Sequence, residues 1–181
     1  MKKLSFILLL CVALLLSACG DGAAKGRFES FSASLGERES LSFTAELRAE
    51  YPDRSDDFTL AYQKDPAGEQ VTVLAPELIK GISARRETGS TALVYEGLIL
   101  DLGPLDAYGL TPMYALPRLV ETMTDGHMDS YREEDGLRIY RLICDDHLSA
   151  TVWFDPGMRP LRAELACDGN VRVGCEICDW S

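Results

Sequence analysis

Two cysteines near the end of the chain have the spacing of a redox or metal-binding pair. Cys175 and Cys178 form a Cys-x-x-Cys sequence, which in other proteins supplies thiolates for disulfide exchange or for zinc. Here the pair lies in a segment predicted to be a strand, where residues three positions apart point to opposite faces. A redox pair also needs a helix N-terminus to lower a thiol pKa, and zinc needs further ligands. We therefore predict neither redox chemistry nor a metal site at this pair.

Other residues that could do chemistry are few and scattered. The chain holds two histidines, His127 and His147, and both fall near predicted strand ends, where we interpret them as surface or turn residues. The acidic stretches 133–135 and 145–146 are interpreted as solvated turns rather than cation sites. The sequence has no serine-hydrolase, zinc-protease, P-loop or dinucleotide-binding motif. We predict a protein without catalytic residues, metal or cofactor.

Cys19 is the residue whose surroundings predict a covalent modification. It is preceded by Leu16-Ser17-Ala18 and followed by Gly20, an order that resembles a bacterial lipobox, where a lipoprotein precursor is acylated on cysteine and cut before it. We predict that the mature chain begins at Cys19 and carries acyl chains, such as palmitate, on this residue. The predicted location is the cell membrane, on its extracytoplasmic face.

The segment before Cys19 has the organisation of a signal peptide. Lys2 and Lys3 precede an apolar run from position 6 to 16, which is too short to cross ~30 Å of hydrocarbon as a helix. We assign residues 1–18 to a lipoprotein signal peptide; an uncleaved anchor and an ordinary secretory signal are the alternatives. Residues 19–26 are mostly small and polar, which predicts a flexible lipidated tether. Several acyl chains would anchor it stably, because each buried CH₂ contributes ~0.8 kcal/mol.

The remaining residues, 27–181, are enough for one domain with a sizeable core. The full chain has 18 basic and 29 acidic residues and a net charge of −11 at pH 7. Without the two lysines of the leader, the net charge becomes −13. Such an acidic chain is a poor partner for nucleic acid and offers no broad basic surface to anionic headgroups. We therefore expect no nucleic acid among its partners.

Hydrophobic periodicity predicts two amphipathic helices and about eleven strands. The first helix is predicted at 26–38, and the second starts at Thr111-Pro112, with Pro117 kinking it or delaying its start. The strands are predicted at 41–51, 58–62, 70–75, 82–88, 92–95, 98–102, 128–133, 137–144, 149–154, 161–167 and 171–180. Short connections require antiparallel pairing. We predict a mainly β (α+β) fold, in which a curved antiparallel sheet or incomplete β-barrel has its concave face covered by the helices.

Three sequence phrases, in this order of elements, resemble a known superfamily. They are LSFTA at 41–45 after the first helix, VTVLAPE at 71–77 in the third strand, and WFDPGMRP at 153–160 in a late hairpin. Together with the order of the helices and strands, which extends the likeness over most of residues 27–180, these phrases resemble the LolA/LppX-type lipoproteins and lipid carriers.

This resemblance implies a fold and two functions. Members of the superfamily fold as a curved, incomplete antiparallel barrel, and in many of them the concavity binds acyl chains or lipoprotein lipid. The first hypothesis is therefore a membrane-anchored protein that binds a lipid or a lipoprotein acyl chain. A subset in spore-forming bacteria acts in germination as a partner for another protein. The second hypothesis is a non-enzymatic lipoprotein that stabilises or localises an exported partner.

The apolar faces of the predicted strands and of the second helix would line such a concavity. Pockets for apolar ligands are lined in this way. The alternative is that these residues pack on each other as a solid core, and periodicity does not distinguish the two. The candidate lining residues are Phe43, Leu47, Phe58, Leu60, Tyr62, Val73, Leu93, Tyr95, Leu100, Leu116, Leu119 and Met123.

The four cysteines of the body are predicted to be mostly free thiols. Cys144 and Cys167 would lie two strand spacings apart, roughly 9–10 Å, whereas a disulfide needs Cα atoms within ~7 Å. Cys167 and Cys175 are predicted to face the core. Because exported chains often oxidise their cysteines, free thiols would indicate a reducing or anaerobic habitat. Cys178 is predicted to point outward, where it could cross-link to a partner.

Replacing Cys19 by serine tests the anchor. Cys19→Ser removes the thiol that carries the acyl chains, so the precursor should stay unlipidated and most of it should leave the membrane pellet. Cell fractionation and the intact mass of the chain measure both effects, with Cys11→Ser in the leader as the matched control. Continued pelleting of Cys19→Ser with a normally processed mass would contradict the prediction.

Overall fold

The computed structural model describes residues 20–87, 93–96 and 110–181. In these ranges the chain forms helix α1 (Gly20–Gly36), helix α2 (Pro112–Asp125), a 3₁₀ helix (Glu77–Ile79) and ten strands. The strands are β1 (Leu41–Glu50), β2 (Ser55–Asp65), β3 (Gly68–Ala75), β4 (Ser83–Glu87), β5 (Leu93–Glu96), β6 (His127–Glu134), β7 (Leu137–Ile143), β8 (Leu148–Phe154), β9 (Pro160–Cys167) and β10 (Asn170–Cys178). No helix in the described part is long and apolar enough to cross a membrane.

All ten strands belong to one antiparallel sheet. Its order is β5-β4-β3-β2-β1-β10-β9-β8-β7-β6, so two meanders, one from each half of the chain, join where β1 pairs with β10. Backbone hydrogen bonds between Ser42 and Ser181, of 3.2 and 3.0 Å, extend this junction to the last residue. In the described residues β5 and β6 are free edges, and the sheet stays open rather than closing into a barrel.

The predicted class, mainly β with antiparallel pairing and two helices, is confirmed, but the strand count differs. The structure describes ten strands instead of about eleven. The strand predicted at 98–102 lies outside the described residues. The pairing is antiparallel throughout because each connection within a meander is too short for a parallel crossover.

One face of the sheet is apolar because hydrophobic residues alternate with polar ones along its central strands. In β1 every odd position from Leu41 to Ala49 is buried. The register sets Phe43 opposite Tyr62, with ring centroids 4.9 Å apart. Cross-strand aromatic pairs of this kind add to the area that is buried.

Helix α2 covers the centre of this face and reaches both halves of the sheet. It contacts β2 and β3 on one side and β7, β8 and β9 on the other. β3 and β7 are six strand positions apart, which would be about 29 Å in a flat sheet. A helix of 14 residues is about 21 Å long. The sheet therefore bends around α2.

Two prolines shape α2. Thr111 is the extended N-cap residue and Pro112 occupies the first turn, as predicted. The helix then continues through Pro117, so a delayed start at that residue is wrong. Pro117 is buried, and its packing against the sheet compensates for the one backbone hydrogen bond that its ring removes.

Helix α1 begins at Gly20, six residues earlier than predicted, so most of the segment predicted as a flexible tether is helical. Tertiary packing explains the difference. Ala24 is fully buried and its carbonyl accepts a 3.2 Å hydrogen bond from the Tyr140 hydroxyl. Phe28 packs on the same tyrosine, with ring centroids 5.5 Å apart. Such contacts stabilise a glycine-containing helix that its own sequence supports only weakly.

Five charged residues, here called the charge chain, fasten α2 to the sheet on both sides. From β3 to the β7–β8 turn they are Glu69, Arg86, Glu121, Arg118 and Asp145, and Glu121 accepts from both arginines. The separations are 2.7 Å for Glu69–Arg86, 3.0 Å for Arg118–Glu121 and 2.5 Å for Arg118–Asp145. The Arg86 side chain is only 14 % exposed, so solvent screens this chain less than an ordinary surface pair.

Core packing can be tested by truncating two leucines. Leu142 is fully buried in β7, whereas Leu78 in the 3₁₀ helix is 94 % exposed. Leu142→Ala should lower the free energy of unfolding by about 2–5 kcal/mol, because it leaves a cavity. Leu78→Ala should change it by less than about 0.5 kcal/mol. Urea denaturation measures both, and equal midpoints would contradict this packing.

The charge chain can be tested at its central carboxylate. Glu121→Gln keeps the shape of the side chain but weakens both arginine contacts, and it should cost about 1–3 kcal/mol of stability. The matched control is Glu77→Gln, since Glu77 and Lys80 form an exposed pair 2.8 Å apart. Exposed pairs contribute little, so that variant should unfold at nearly the same urea concentration as the parent. A smaller effect at Glu121 than at Glu77 would show that α2 is not held this way.

Candidate functional site

Nine of the predicted lining residues lie together on the helix-covered face of the sheet. They form part of one buried cluster, and Phe58 is the most exposed of them at 6 %. The nine are Phe43, Leu47, Phe58, Leu60, Tyr62, Val73, Leu116, Leu119 and Met123. Leu93 and Tyr95 are positions of β5, while Leu100 and Cys19 lie outside the described residues.

The side chains of these nine residues fill the space between the sheet and α2. Tyr62 illustrates their environment: it is fully buried, and burial together with nearby Glu69 raises the pKa of its phenol, which stays protonated. Side chains of this cluster pack on each other as a core in the described part of the chain. Lipid binding by these residues stays a prediction, and a bound chain would have to displace part of this packing.

A cleft opens where α2 begins, next to this core. We call it the α2 cleft; its volume is about 250 Å³. Its apolar wall consists of Leu110, Tyr114, Leu148 and Cys167, and its polar rim of Arg118, Asp145, Asp146 and His147. The register brings the wall together, because Leu148 at the start of β8 pairs with Cys167 at the end of β9.

The rim of the α2 cleft is built around Asp145. Its Oδ1 accepts the backbone N–H groups of His147 and Leu148, at 2.9 and 2.8 Å. Partial burial acts to raise the pKa of Asp145, but these two N–H groups and Arg118 outweigh it and lower that pKa. The carboxylate is therefore charged at neutral pH and fixes the turn in one geometry.

His147 is held at the same turn. Its Nδ1 lies 2.9 Å from Oδ1 of Asp168, and this hydrogen bond raises the pKa of His147. The ring is half-exposed. The pair joins the β7–β8 turn to the β9–β10 turn, which is a structural role in keeping with the prediction of a turn histidine.

The four cysteines are where the strand pattern placed them, and no two of them form a disulfide with each other. Cys167 and Cys175 are buried, and burial raises the pKa of Cys175 to about 12. Cys178 is exposed on the opposite face of β10. Because the two sulfurs of the Cys-x-x-Cys sequence diverge, they do not form a joint site. Across residues 20–87, 93–96 and 110–181, no group of His, Cys, Asp and Glu side chains could hold a metal ion.

Sequence reasoning missed the wall of the α2 cleft. Leu110 precedes the N-cap residue Thr111, and Tyr114 lies in the first turn of α2, so helical periodicity alone could not have paired them. Leu148 and Cys167 each terminate an alternating strand, but their pairing depends on the register of β8 with β9. The cleft is therefore visible only once the sheet order is known.

No protein-family model and no curated protein matches the sequence. Solved structures resemble the fold at low identity. A LolA superfamily protein from Nitrosomonas europaea is 11% identical, over 87% of this chain and 92% of its own, with a TM-score of 0.42. A conserved protein of uncharacterised function from Thermus thermophilus is 9% identical, over 86% of each chain, with a TM-score of 0.45.

A third neighbour is a domain from Vibrio parahaemolyticus that is described as an outer membrane lipoprotein-sorting protein. It is 12% identical, over 86% of this chain and 90% of its own, with a TM-score of 0.42. At these identities and TM-scores the neighbours do not indicate what this chain binds. LolA superfamily proteins are among the similar structures, in keeping with the resemblance found in the sequence.

Proposed function

We propose that this protein is a membrane-anchored extracytoplasmic lipoprotein that binds the apolar chain of a lipid or of an acylated protein, without catalysis. The observation that carries this proposal is the α2 cleft, an apolar opening at the seam between α2 and the sheet. Leu110 and Tyr114 contribute the helix side of its wall, and Leu148 and Cys167 contribute the sheet side. A chain entering there would lie against apolar atoms on both sides.

The volume of the α2 cleft limits how much of a chain it takes in its present form. About 250 Å³ exceeds the roughly 150 Å³ of an apolar protein cavity that binds benzene. It accommodates the end of an acyl chain rather than a whole lipid. A longer chain would continue toward Leu116, Leu119 and Met123 of α2, where a flexible methionine can adapt to it.

The charges at the rim favour a chain that carries no free acid. Arg118 is already paired with Glu121 and Asp145, and Asp146 adds another negative charge beside them. A free carboxylate at this rim would meet an arginine that is already paired and the negative charge of Asp146, whereas an ester or an amide would not be repelled. Glycerides and acylated protein termini fit this requirement.

The anchor at Cys19 would place the cleft close to a membrane. Because α1 begins at Gly20, the acylated residue would be joined directly to a helix that packs on the sheet. The body would then be held near the bilayer without a long flexible linker. Transfer of an apolar chain between membrane and cleft is consistent with such an arrangement.

The alternative function, a lipoprotein that stabilises or localises an exported partner, has its own supporting observation. Leu78 is 94 % exposed at the 3₁₀ helix, and Leu74 nearby is 37 % exposed. These two leucines are the apolar surface that a partner would cover in this region.

A photoreactive monoacylglycerol, added to the full-length protein extracted in a non-ionic detergent, tests the α2 cleft. We expect cross-links to map to residues 110–118 and to the segments around Leu148 and Cys167. Tyr114→Asp should reduce labelling at least tenfold by placing a charge in the wall. This variant should still fold, because an acidic residue in the first turn of a helix is favourable. Tyr114→Phe, the matched control, should label within twofold of the parent.

Two outcomes would overturn acyl binding at this site. One is labelling spread over the surface without enrichment at the cleft, and the other is equal labelling of Tyr114→Asp and the parent. Co-purification of a defined exported protein with the parent, but not with Leu78→Asp, would then favour the alternative function.

A further inference from the structure

A second, larger cleft lies at the other end of strand β8. We call it the α1 groove; its volume is about 810 Å³. One wall is helix α1, and the opposite wall is the β8–β9 turn with Trp180. Strand β8 begins at Leu148, which lines the α2 cleft, and ends at Phe154, which packs against Phe31 of the α1 groove. The two clefts are therefore about 20 Å apart along the strand.

The helix wall of the α1 groove is a single stripe of α1. Ala23, Gly26, Arg27, Ser30 and Ser34 line it, at spacings that repeat with the helical period, and Arg38 lies just beyond the end of the helix. Small residues along the stripe leave the groove open. A side chain added at Gly26 would meet no described heavy atom within 4 Å.

Three arginines converge on this groove without carboxylate partners. Arg27, Arg38 and Arg159 all line it, and none forms an ion pair with a carboxylate in the described part of the chain. Eight other arginines do form such pairs: Arg48, Arg54, Arg86, Arg118, Arg132, Arg138, Arg141 and Arg162. In a chain of net charge −11, three unpaired arginines in one groove indicate a local site for an anion.

Arg27 is pre-positioned for this role. Its guanidinium lies 5.7 Å from the centre of the Tyr131 ring and donates a long 3.4 Å hydrogen bond to the hydroxyl of that tyrosine, with the Tyr140 hydroxyl as a second neighbour. Its Nε is buried and has no hydrogen-bond partner. Asp155, an acidic residue of the turn that forms the opposite wall, accepts the N–H groups of Gly157 and Arg159, and Asp179, next to Trp180, accepts the Thr44 hydroxyl.

The same groove offers apolar surface beside the arginines. Phe31, Met158 and Trp180 line it. Phe31 is fixed against Phe154, with ring centroids 4.9 Å apart, and Trp180 against Phe43 at 5.0 Å. These rings keep their positions without a ligand, so little ordering would be needed on binding.

We propose that the α1 groove binds an anionic amphiphile. Its phosphate or carboxylate would contact Arg27, Arg38 and Arg159, and its apolar part would lie against Phe31, Met158 and Trp180. Planar guanidinium groups match the geometry of such anions. This site does not depend on the α2 cleft, whose rim disfavours acids, and the two proposals can fail separately.

Trp180 supplies a direct readout of binding. The chain has two tryptophans, so Trp153→Phe leaves Trp180 as the only one. The full-length protein in non-ionic detergent is titrated with dihexanoylphosphatidylglycerol, with dihexanoylphosphatidylcholine and with glycerol 3-phosphate. We expect a saturable change in Trp180 emission with the anionic lipid, at an affinity at least tenfold above the other two.

Two variants and their controls locate the site. Arg159→Gln should weaken binding of the anionic lipid at least fivefold. Its control is Arg54→Gln, because Arg54 follows the end of β1 that is far from Trp180; the affinity of this variant should stay within twofold of the parent. Gly26→Leu should abolish binding by filling the groove, whereas Gly22→Leu, also in open space on α1, should not. Tyr114→Asp in the α2 cleft should leave the Trp180 signal unchanged.

Three results would overturn the proposal. Equal affinity for the anionic and zwitterionic lipids would remove the role of the arginines. Binding of glycerol 3-phosphate as tight as that of the anionic lipid would reduce the groove to a phosphate site without an apolar part. Unchanged binding by both Arg159→Gln and Gly26→Leu would place any interaction elsewhere.

Discussion

Ten antiparallel strands present one apolar face, and covering that face is the constraint on which the rest of the structure depends. Only two helices are available for this in the described chain, and α2 alone reaches strands from both meanders. Because the sheet bends, one short helix can cover strands of both meanders. Residues at the centre of the bend become the most buried of the protein, among them Leu60, Leu116 and Met123.

The same constraint decides where ligands can enter. The middle of the covered face is occupied by side chains, and the charge chain resists displacement of α2 because breaking it would leave half-buried charges unpaired. Beside the helices, open space is found where α2 begins and where α1 faces the β8–β9 turn. The two places differ in charge: the first is rimmed by paired and acidic groups, and the second holds unpaired arginines.

Much of the fold could be predicted from local patterns. Alternation in 41–51 identified the buried face of β1, and the prediction that Cys167 and Cys175 face the core holds for β9 and β10, since a period of two leaves little freedom in which side chains are covered. The union of β1 with β10 could not be predicted, because nothing local in either strand specifies its partner. The helical start at Gly20 was missed for a similar reason: it depends on Tyr140, more than a hundred residues away.

The candidate site was less accessible to sequence reasoning than the fold. Nine of the predicted lining residues are indeed on one covered face, but the period of a strand does not reveal whether that face is filled. The α2 cleft and the charge chain depend on the strand order, which brings β3 and β4 on one side and the β7–β8 turn on the other against α2. Arg86 and Glu121, for instance, are 35 positions apart.

The pairing of β1 with β10 also has a consequence for how the molecule is made. The partners Thr44 and Cys178, like Ala49 and Val173, are separated by more than 120 positions, and their strands form the centre of the sheet rather than an edge. As the chain emerges from its N-terminus, β1 has an unpaired inner edge until β10 has followed it. Long-range pairing of this kind folds slowly. β10 is thus the strand that unites the two halves, and the exposed edge of β1 is protected only when β10 has emerged.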